Sequence, residues 1–408
     1  MEWITKNAGE LYVSSSGLSK PADQFGFGYP FLSYKDIFHN YYAPKELTTL
    51  VNTTQKDREK CSIIRGDVFL TRTSETTEEL GMSCVALKDY PEATFNGFAK
   101  RLRPVTDEIY PEYAAYFFRS AFFRAQCKSM ASLITRASLN DAMIYRFKIK
   151  FPKNKYAQIK IGTILKTYDT LIENNTKRIR LLEQMAENLY KEWFVRFRFP
   201  GHENVEMENG LPKGWKVERI GNVCETIGGG TPSTSNENYW GGDIKWVTPS
   251  DITSKSSLPL LNIAGRITEE GLKRSSAKLL PPYTILMTSR ASIGFFGICP
   301  ESVCTNQGFI SIIPNEENTR MFLLYSLKTR KEEIIANANG STFLEISKGR
   351  FRKMKTLVPS EDILIKFEKK EQLFFNEILK LELQNQLLTR QRDLLLPRLM
   401  SGKLEVTV

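Results

Sequence analysis

Residues 156–199, near the middle of the chain, repeat apolar side chains at alternating intervals of four and three positions. The repeat runs through Ile161, Leu165, Tyr168, Ile172, Asn175, Ile179, Leu182, Ala186, Leu189 and Trp193. This spacing is the 3.5-residue period of a coiled coil, in which one seam keeps facing a partner helix. At a rise of 1.5 Å per residue the seam would extend roughly 50 Å, too far for one small domain to cover. The pattern therefore predicts a long helix with a second helix alongside it.

A second seam with the same period lies near the C-terminus. It comprises Phe367, Glu371, Phe374, Ile378, Leu381, Asn385, Leu388, Arg392, Leu395 and Leu399. Each seam carries one Asn, and a buried Asn at such a position lowers stability but fixes register or partner choice. The alternative is that the phase is shifted and these are solvated flanking positions.

The sequence thus predicts two long helices that pair as an antiparallel coiled coil. The residues predicted to form the pairing seam are Ile172, Asn175, Ile179, Leu182, Leu189, Ile378, Leu381, Asn385, Leu388 and Leu395.

Short apolar runs divided by Gly, Pro, Ser and Asn precede each seam and indicate strands, for example at residues 67–70 and 244–247. Helical spacing of apolar residues predicts helices at 111–128 and 321–336. The fold class predicted is α+β, with two mixed α/β domains and two long helices. The predicted bounds are 1–152 for the first domain, 153–200 for the central helix, 201–360 for the second domain and 361–408 for the C-terminal helix and tail.

The two domains read as an internal repeat, which predicts a pseudo-two-fold object. The matched segments are 31–37 with 246–252, 69–74 with 285–290, and 96–98 with 307–309.

The net charge of +11, from 57 Lys and Arg against 46 Asp and Glu, favours a polyanionic partner such as nucleic acid. The excess is spread over both domains and the first long helix, without a basic tail. No run of about 18 apolar residues occurs, so a soluble, cytoplasmic protein is expected. The six cysteines are scattered, which suits reduced thiols, and Cys299 and Cys304 lack further ligands for a zinc site.

The usual constellations of catalytic residues are incomplete. His39 and His202 are the two histidines, and they stand in unrelated contexts. Residues 228–231 (GGGT) lack the Lys of a phosphate-binding loop, and 280–283 (LPPY) lack the polar residue that an amino-methyltransferase motif needs before its prolines. The triplet at 243–245 (DIK) has a nuclease-like ending that is common by chance. Neither catalysis nor a metal site is predicted.

Turns rich in Ser, Thr and aromatic residues, flanked by Lys or Arg, occur at matching places in both halves. Arg pairs with guanine or phosphate, and small hydroxyls bind phosphate or base edges, so these turns are candidates for DNA binding. The candidates are Ser15, Ser16, Lys20, Tyr34, Lys35, Thr71, Arg72 and Thr73 in the first half, and Thr231, Ser233, Thr234, Tyr239, Trp240, Thr248, Ser250, Ser289 and Arg290 in the second. The alternative for any one residue is an ordinary hairpin turn.

Eight short stretches, taken in their order and spacing, give the chain a family resemblance. They are 172–175 (IENN), 182–194 (LEQMAENLYKEWF), 211–216 (LPKGWK), 228–232 (GGGTP), 241–249 (GGDIKWVTP), 289–294 (SRASIG), 305–309 (TNQGF) and 394–403 (LLLPRLMSGK). With these, the chain resembles the specificity subunit of type I restriction-modification systems over essentially its whole length. The first half departs more, because the Arg-Ala-Ser-Ile-Gly turn is replaced by residues 73–81.

The resemblance implies two target recognition domains, each reading one half of a split double-stranded DNA site, with the helices as a spacer between them. It also implies that the chain does no chemistry and binds no cofactor directly. Two methyltransferase subunits would bring S-adenosylmethionine, and restriction subunits would bring ATP and Mg. The alternatives are a free-standing DNA-binding regulator, or a methyltransferase or nuclease that binds S-adenosylmethionine or a divalent metal when alone.

Overall fold

The computed structural model describes residues 1–74, 76, 79–130, 132–133, 137–254, 257–340 and 343–407. The chain divides into two compact units. The first unit comprises Met1–Ile172 with Leu387–Val408, and the second comprises Glu173–Gln386. Both long helices contribute a segment to each unit.

The first unit combines short strands with short helices. Its strands are β1 (Trp3–Asn7), β2 (Tyr12–Ser16), β3 (Phe25–Leu32), β4 (Leu50–Val51), β5 (Val68–Thr71), β6 (Thr73–Ser74), β7 (Ser83–Val85), β8 (Thr94–Phe95), β9 (Ala99–Pro104), β10 (Ser132–Leu133), β11 (Ala137–Ser138) and β12 (Lys148–Pro152). Its helices are α1 (Ala8–Leu11), α2 (Tyr34–His39), α3 (Gln55–Lys60), α4 (Pro111–Phe117), α5 (Ala121–Met130) and α6 (Asp141–Tyr145), with a 3₁₀ turn at Ala22–Gln24.

These strands form small sheets around an aromatic core. An antiparallel sheet has the order β2-β9-β5-β7, and a mixed sheet has the order β4-β3-β8 with β3 parallel to β8. Strand β1 pairs with β12, and β6 pairs with β11 beside β10. Phe69 and Phe95 pack edge to face at 5.0 Å and are fully buried. The alternation of buried residues along strands such as β12 is what the period of a pleated strand requires.

The helix predicted at 111–128 is divided into α4 and α5. Ser120 makes the break, because its hydroxyl donates to the carbonyl oxygen of Phe117 and accepts from the backbone N–H of Phe123. A serine in this position ends one helix and caps the next. The helix predicted at 321–336 is also divided into two pieces, Arg320–Thr329 and Lys331–Ala336, with Arg330 between them and without a side-chain cap.

In the second unit the strands are β13 (Met207–Glu208), β14 (Leu211–Pro212), β15 (Lys216–Arg219), β16 (Cys224–Gly228), β17 (Trp240–Val247), β18 (Arg266–Ile267), β19 (Ile285–Thr288), β20 (Phe296–Ile298), β21 (Cys304–Thr305), β22 (Phe309–Pro314) and β23 (Lys355–Val358).

The first long helix is α7 (Lys155–Tyr190), continued by a π-helical turn at Lys191–Val195. The helices that follow are α8 (Ile220–Val223), α9 (Pro249–Thr253), α10 (Glu269–Lys273), α11 (Arg320–Thr329), α12 (Lys331–Ala336), α13 (Lys348–Lys353) and α14 (Glu361–Ser401), with 3₁₀ turns at His202–Asn204, Glu237–Tyr239 and Glu317–Thr319.

Three sheets of the second unit repeat sheets of the first strand by strand. The order β16-β22-β19-β20 corresponds to β2-β9-β5-β7, and β18-β17-β21 corresponds to β4-β3-β8. The pair β15-β23 corresponds to β1-β12. The internal repeat predicted from the sequence is therefore confirmed at the level of topology.

The two long helices pack against each other within each unit. In the first unit, Ile161 and Leu165 of α7 share a buried cluster with Leu396 and Leu399 of α14, which also includes the seam residue Leu395 at its edge. In the second unit, Ile179, Ile378 and Leu381 form a buried cluster with Leu182 beside it.

The direction of the pairing follows from two contacts in the second unit. Asn175 bonds to Asn385, and Arg178, three residues later, forms an ion pair of 2.9 Å with Glu377, eight residues earlier. Positions that advance along α7 thus meet positions that recede along α14. The predicted antiparallel coiled coil is confirmed.

The remaining seam residues lie as follows. Ile172 and Leu388 are half-buried, and Leu189 packs against the main core of the second unit. The domain bounds predicted from the sequence, 1–152, 153–200, 201–360 and 361–408, remain a prediction. Within the described ranges of the chain, no helix is both long enough and apolar enough to cross a membrane.

Candidate nucleic-acid interface

In the first unit, three turns meet at one edge of the sheets: the turn after β2, the turn after β5 and the turn between β8 and β9. Gly17 passes so close to the carbonyl oxygen of Asn96 that a Cβ atom would clash with it. The backbone N–H of Arg72 donates to the carbonyl oxygen of Phe98 at 3.0 Å. These backbone contacts hold the three turns together.

The second unit joins the equivalent turns by equivalent contacts. A Cβ atom at Gly229 would clash with the carbonyl oxygen of Asn306. The backbone N–H of Ser289 donates to the carbonyl oxygen of Gly308 at 2.8 Å. Because backbone geometry makes these contacts, the side chains of the turns are free to differ between the units.

The contacts establish which residues correspond. Thr71 pairs with Ala99 in the first unit, and Thr288 pairs with Phe309 in the second. The match of 31–37 with 246–252 is confirmed, since β3 and β17 make the same parallel pairing with β8 and β21.

The other two residue-level matches were one position out. By the pairing of the strands, residues 71–73 correspond to 288–290, and 96–98 correspond to 306–308. A one-residue shift between two buried apolar runs changes little in the sequence pattern, although it moves every side chain to the opposite face. The register is fixed by the backbone hydrogen bonds between neighbouring strands, which the structure shows.

Most candidates of the second unit lie at its surface. Thr231, Ser233, Thr234, Ser250 and Arg290 are exposed, and Tyr239, Trp240 and Thr248 are half-buried. They surround the three turns, which the structure brings together.

Trp240 and its neighbour Trp246 support the turn after β16. The indole N–H of Trp240 donates to the carbonyl oxygen of Ser233 at 3.1 Å, and that of Trp246 donates to Gly230 at 2.9 Å. The two rings pack edge to face at 5.0 Å. These indole donors therefore hold the loop, while the loop presents its hydroxyls outwards.

Thr248 caps the helix α9. Its hydroxyl and its backbone N–H both bond to Oδ2 of Asp251 at 2.8 Å, and its Oγ1 lies 2.8 Å from Oγ of Ser250. In the first unit Ser33 and Asp36 make the same capping box for α2. In both units the Asp carboxylate, of Asp36 or Asp251, is therefore engaged in capping the helix.

Two candidates prove to be interior residues, which corrects the sequence-based expectation. Thr71 is fully buried and Ser289 is 2% exposed. The Thr71 hydroxyl donates to the carbonyl oxygen of Glu79 and accepts from the N–H of Met82. Hydroxyls at the end of a strand can brace a turn as readily as they can bind a ligand, and the sequence does not distinguish the two roles.

The first unit presents its remaining candidates less openly. Lys20 forms an ion pair of 3.0 Å with Asp57, and the hydrogen bond from Lys20 lowers the pKa of that carboxyl group. The Tyr34 hydroxyl donates to the carbonyl oxygen of Thr73 at 3.3 Å. The hydroxyl oxygen of Ser15 is buried. Of the others, Ser16 and Lys35 are exposed, and Arg72 and Thr73 are half-buried.

The structure places further residues at these turns that the sequence-based prediction missed. Gln307 is exposed beside Thr231, and Phe98 is 54% exposed. The signal for both lies in the short runs Gln-Gly-Phe and Asn-Gly-Phe, which the sequence-based prediction treats as repeat markers and not as ligand-binding residues.

The helix α13 supplies a group of exposed cations in the second unit. Lys348 lies against Gly228, with Nζ 3.1 Å from the place of a Cβ atom there. Arg350, Arg352 and Lys353 are also exposed on this helix. The signal was the run Lys-Gly-Arg-Phe-Arg-Lys, and exposed cations beside the turns suit a phosphate backbone.

In the part of the chain that the structure describes, no three His, Cys, Asp or Glu side chains are placed to hold a metal ion.

Comparison with known proteins connects this architecture to a family. The model of the type I restriction modification DNA specificity domain matches twice, at residues 2–184 and 212–388. The MjaIX type I restriction enzyme specificity subunit of Methanocaldococcus jannaschii is 36% identical over 42% of this chain, and the match spans only 40% of that relative. The HindI specificity subunit of Haemophilus influenzae is 23% identical over 92% of this chain and 94% of its own length.

A solved structure has the same fold. The type I restriction-modification S subunit from M. genitalium aligns with a TM-score of 0.61 at 14% identity, covering 98% of this chain and 96% of the other. The chain therefore belongs to the family of the type I restriction modification DNA specificity domain, which it carries twice, and it is a non-catalytic DNA-recognition subunit.

Proposed function

We propose that each unit reads one half of a bipartite DNA site, and that the paired helices set the gap between the halves and dock two methyltransferase subunits. The observation that carries this proposal is the repetition of the same three joined turns in both units of one chain. Two reading surfaces on one chain suit a site with two separate parts.

The charge and the exposed side chains support DNA as the ligand. The net charge is +11, and Lys348 of α13 lies against the turn at Gly228 in the second unit. Cations at the edge of a reading surface bind phosphates and fix its register on the duplex, while the turns contact base edges.

The outer faces of the long helices support protein partners. Apolar side chains are exposed there, where water alone would favour polar ones, and exposed apolar groups of this kind mark docking surfaces. They are Leu171, Leu181 and Met185 on α7, and Leu373, Leu383, Leu387 and Leu394 on α14.

The chemistry would then reside on the partners. Methyltransferase subunits would bind S-adenosylmethionine, and restriction subunits would bind ATP and Mg, with this chain binding none of them directly. The assembly would work in the cytoplasm, where its DNA substrate lies.

The test is selection from a random-sequence DNA library by the purified chain, alone and with the methyltransferase subunit from the same source. A split motif with a fixed gap, sharpened by the partner, is the expected result. Strong enrichment by the chain alone, with no effect of the partner, would instead indicate a free-standing regulator. No enrichment by folded protein in either condition would refute the proposal.

A matched pair of deletions tests the role of the helices. Residues 176–182 and 378–384 face each other across the seam, and removing both sets deletes one heptad from each helix while preserving its phase. One heptad spans about 10 Å, close to three base pairs of B-DNA, so the gap should shorten by about three base pairs. Deletion from α7 alone is the control, and it should abolish binding because the two seams no longer match.

A further inference from the structure

A cleft of about 320 Å³ opens at the three turns of the second unit. Pro249 and Phe343 contribute apolar walls, and Arg290, Asn306 and Gln307 contribute polar groups. An apolar cleft with a few convergent polar groups is the form that a ligand site takes. What it would bind rests on the proposed function, in which this edge faces DNA.

Arg290, Asn306 and Gln307 present hydrogen-bond donors to the cleft, beside Thr253 and Ser292, whose hydroxyls can donate or accept. Thr231 donates from Oγ1 to Oε1 of Gln307 at 2.6 Å, which occupies the amide oxygen and leaves the amide N–H groups for a ligand. Oδ1 of Asn306 accepts from the backbone N–H of Gly308 at 2.9 Å, which likewise leaves the amide N–H groups of Asn306 for a ligand. Arg290 has donors only.

The nearby carboxylates do not cancel these donors. Glu345 forms a long ion pair with Arg290, with Oε2 3.9 Å from Nε, but this distance is beyond a hydrogen bond and the Arg290 side chain is 49% exposed. Asp251 on α9 already accepts both bonds of the Thr248 cap. The cleft therefore offers donors to whatever approaches it.

The first unit differs at the corresponding positions. Gly97 stands where the second unit has Gln307, and Thr73 stands where it has Arg290. The bulky Phe98 replaces Gly308. The donor side chains Arg290 and Gln307 therefore belong to the second unit alone of the two, although both units share the backbone arrangement that holds these turns.

In the major groove, guanine presents two acceptors, N7 and O6, whereas adenine presents one acceptor and one donor. A thymine edge has one acceptor and a methyl group, and a cytosine edge has a donor. We infer that the second unit reads a guanine in its half-site, with Gln307 and Arg290 as the residues that specify it. Thr231 is a positioning residue, because its bond keeps the Gln307 carbonyl oxygen away from the base.

The test is the same library selection, carried out by the full chain with its methyltransferase subunit, on two variants. Gln307→Glu replaces donors by acceptors, so the preference for guanine at one position should fall roughly 5- to 150-fold, and cytosine should be favoured there. Thr231→Val releases the amide oxygen, so adenine should be accepted about as well as guanine at that position. Asn204→Asp makes the same amide-to-carboxylate change at the exposed 3₁₀ turn His202–Asn204 and should leave the motif unchanged.

The outcomes separate the two proposals. If the wild-type chain enriches no split motif, the proposed function fails and this inference fails with it. A split motif without guanine in either half, or one that both variants leave unchanged, overturns the inference alone. A change confined to one half, with the other half intact, supports both.

Discussion

Asn175 and Asn385, which are 210 positions apart in the chain, are joined by a hydrogen bond of 3.0 Å from Nδ2 to Oδ1. The same amide also donates to Oε1 of Gln384 at 3.1 Å. Asn175 is only 6% exposed, so its donors have little access to water. A buried donor that is satisfied in one alignment of the helices opposes every other alignment, and this is how a polar seam residue fixes register.

Replacement of Asn175 by Ala is expected to destabilise the protein by roughly 1–3 kcal/mol, because it removes two hydrogen bonds across the seam and leaves the half-buried Asn385 acceptor without its donor. Urea denaturation measures this loss. Asn174 is the neighbouring, exposed Asn on the same helix, and Asn174→Ala should change stability by no more than about 0.5 kcal/mol. Equal losses from the two variants would mean that the seam bond contributes nothing specific.

Asp169 and Arg392 make the corresponding polar contact in the first unit. Their Oδ1 and Nη1 atoms are 2.5 Å apart, both side chains are less than one-fifth exposed, and Tyr116 also donates to this carboxylate. Asp169→Ala is expected to cost about 2 kcal/mol, as is usual for a hydrogen bond to a charged group. Thermal or chemical unfolding would measure the cost. Glu2→Ala, which breaks an exposed ion pair with Lys153, is the control and should cost less than about 1 kcal/mol.

The helix pair was predictable because its signal is local. A run such as Ile172, Asn175, Ile179 and Leu182 shows its period in the sequence, and a period of 3.5 residues has one structural meaning. The strands of the repeat were also visible as apolar runs. The register of these strands could not be predicted from the sequence. The hydrogen bonds between β5 and its neighbour β9 determine which residues pair.

The reading surface was predictable only in part, because it depends on which turns meet. Arg290 and Thr231 carry chemistry that a sequence displays. Gln307 becomes significant only when the fold places it beside Thr231, 76 positions away. The burial of Ser289 likewise depends on its contact with the turn at Gly308. Topology, which no local pattern encodes, decides these roles.

Glu371 gives the second unit a dependence on pH. It is fully buried, and burial, followed by repulsion from Glu368, raises its pKa to about 8 from 4.5. The folded state therefore binds more protons than the unfolded state, and its stability falls as the pH rises from about 4.5 through about 8. Glu371→Gln should be more stable than the wild type at pH 9, by on the order of 5 kcal/mol, and close to it at pH 4.

Denaturation of both proteins at a series of pH values tests this expectation. Attraction to Lys328 and the Tyr325 hydroxyl opposes the increase in the pKa of Glu371, and both remain in the variant. Glu361 is exposed at the start of the same helix, and Glu361→Gln should show the pH profile of the wild type. Parallel profiles for Glu371→Gln and the wild type would show that Glu371 is ionised in the folded protein.

Phe98 is expected to contribute to DNA binding by the first unit. Its ring is 54% exposed at the joined turns, and an exposed aromatic ring at such an edge can stack on a base or enter a base step. Phe98→Ala should weaken specific binding roughly tenfold, consistent with about 1–3 kcal/mol per stacked base, without loss of stability. Fluorescence anisotropy with the selected DNA measures the change. Phe122→Ala removes a ring of similar exposure on α5, and an equal effect from that variant would contradict the role of Phe98.

Lys348 is expected to contact a phosphate and no base. Its side chain lies against the turn at Gly228 on the exposed helix α13. Such a contact releases counterions, so Lys348→Gln should weaken binding to specific and unrelated DNA alike and reduce the slope of log K against log[salt] by about 1. Lys273, in the same unit, has a side chain that is 75% exposed beside Glu269, and Lys273→Gln should preserve the slope. A loss confined to the specific sequence, at an unchanged slope, would instead place Lys348 on a base edge, because only base contacts distinguish one sequence from another.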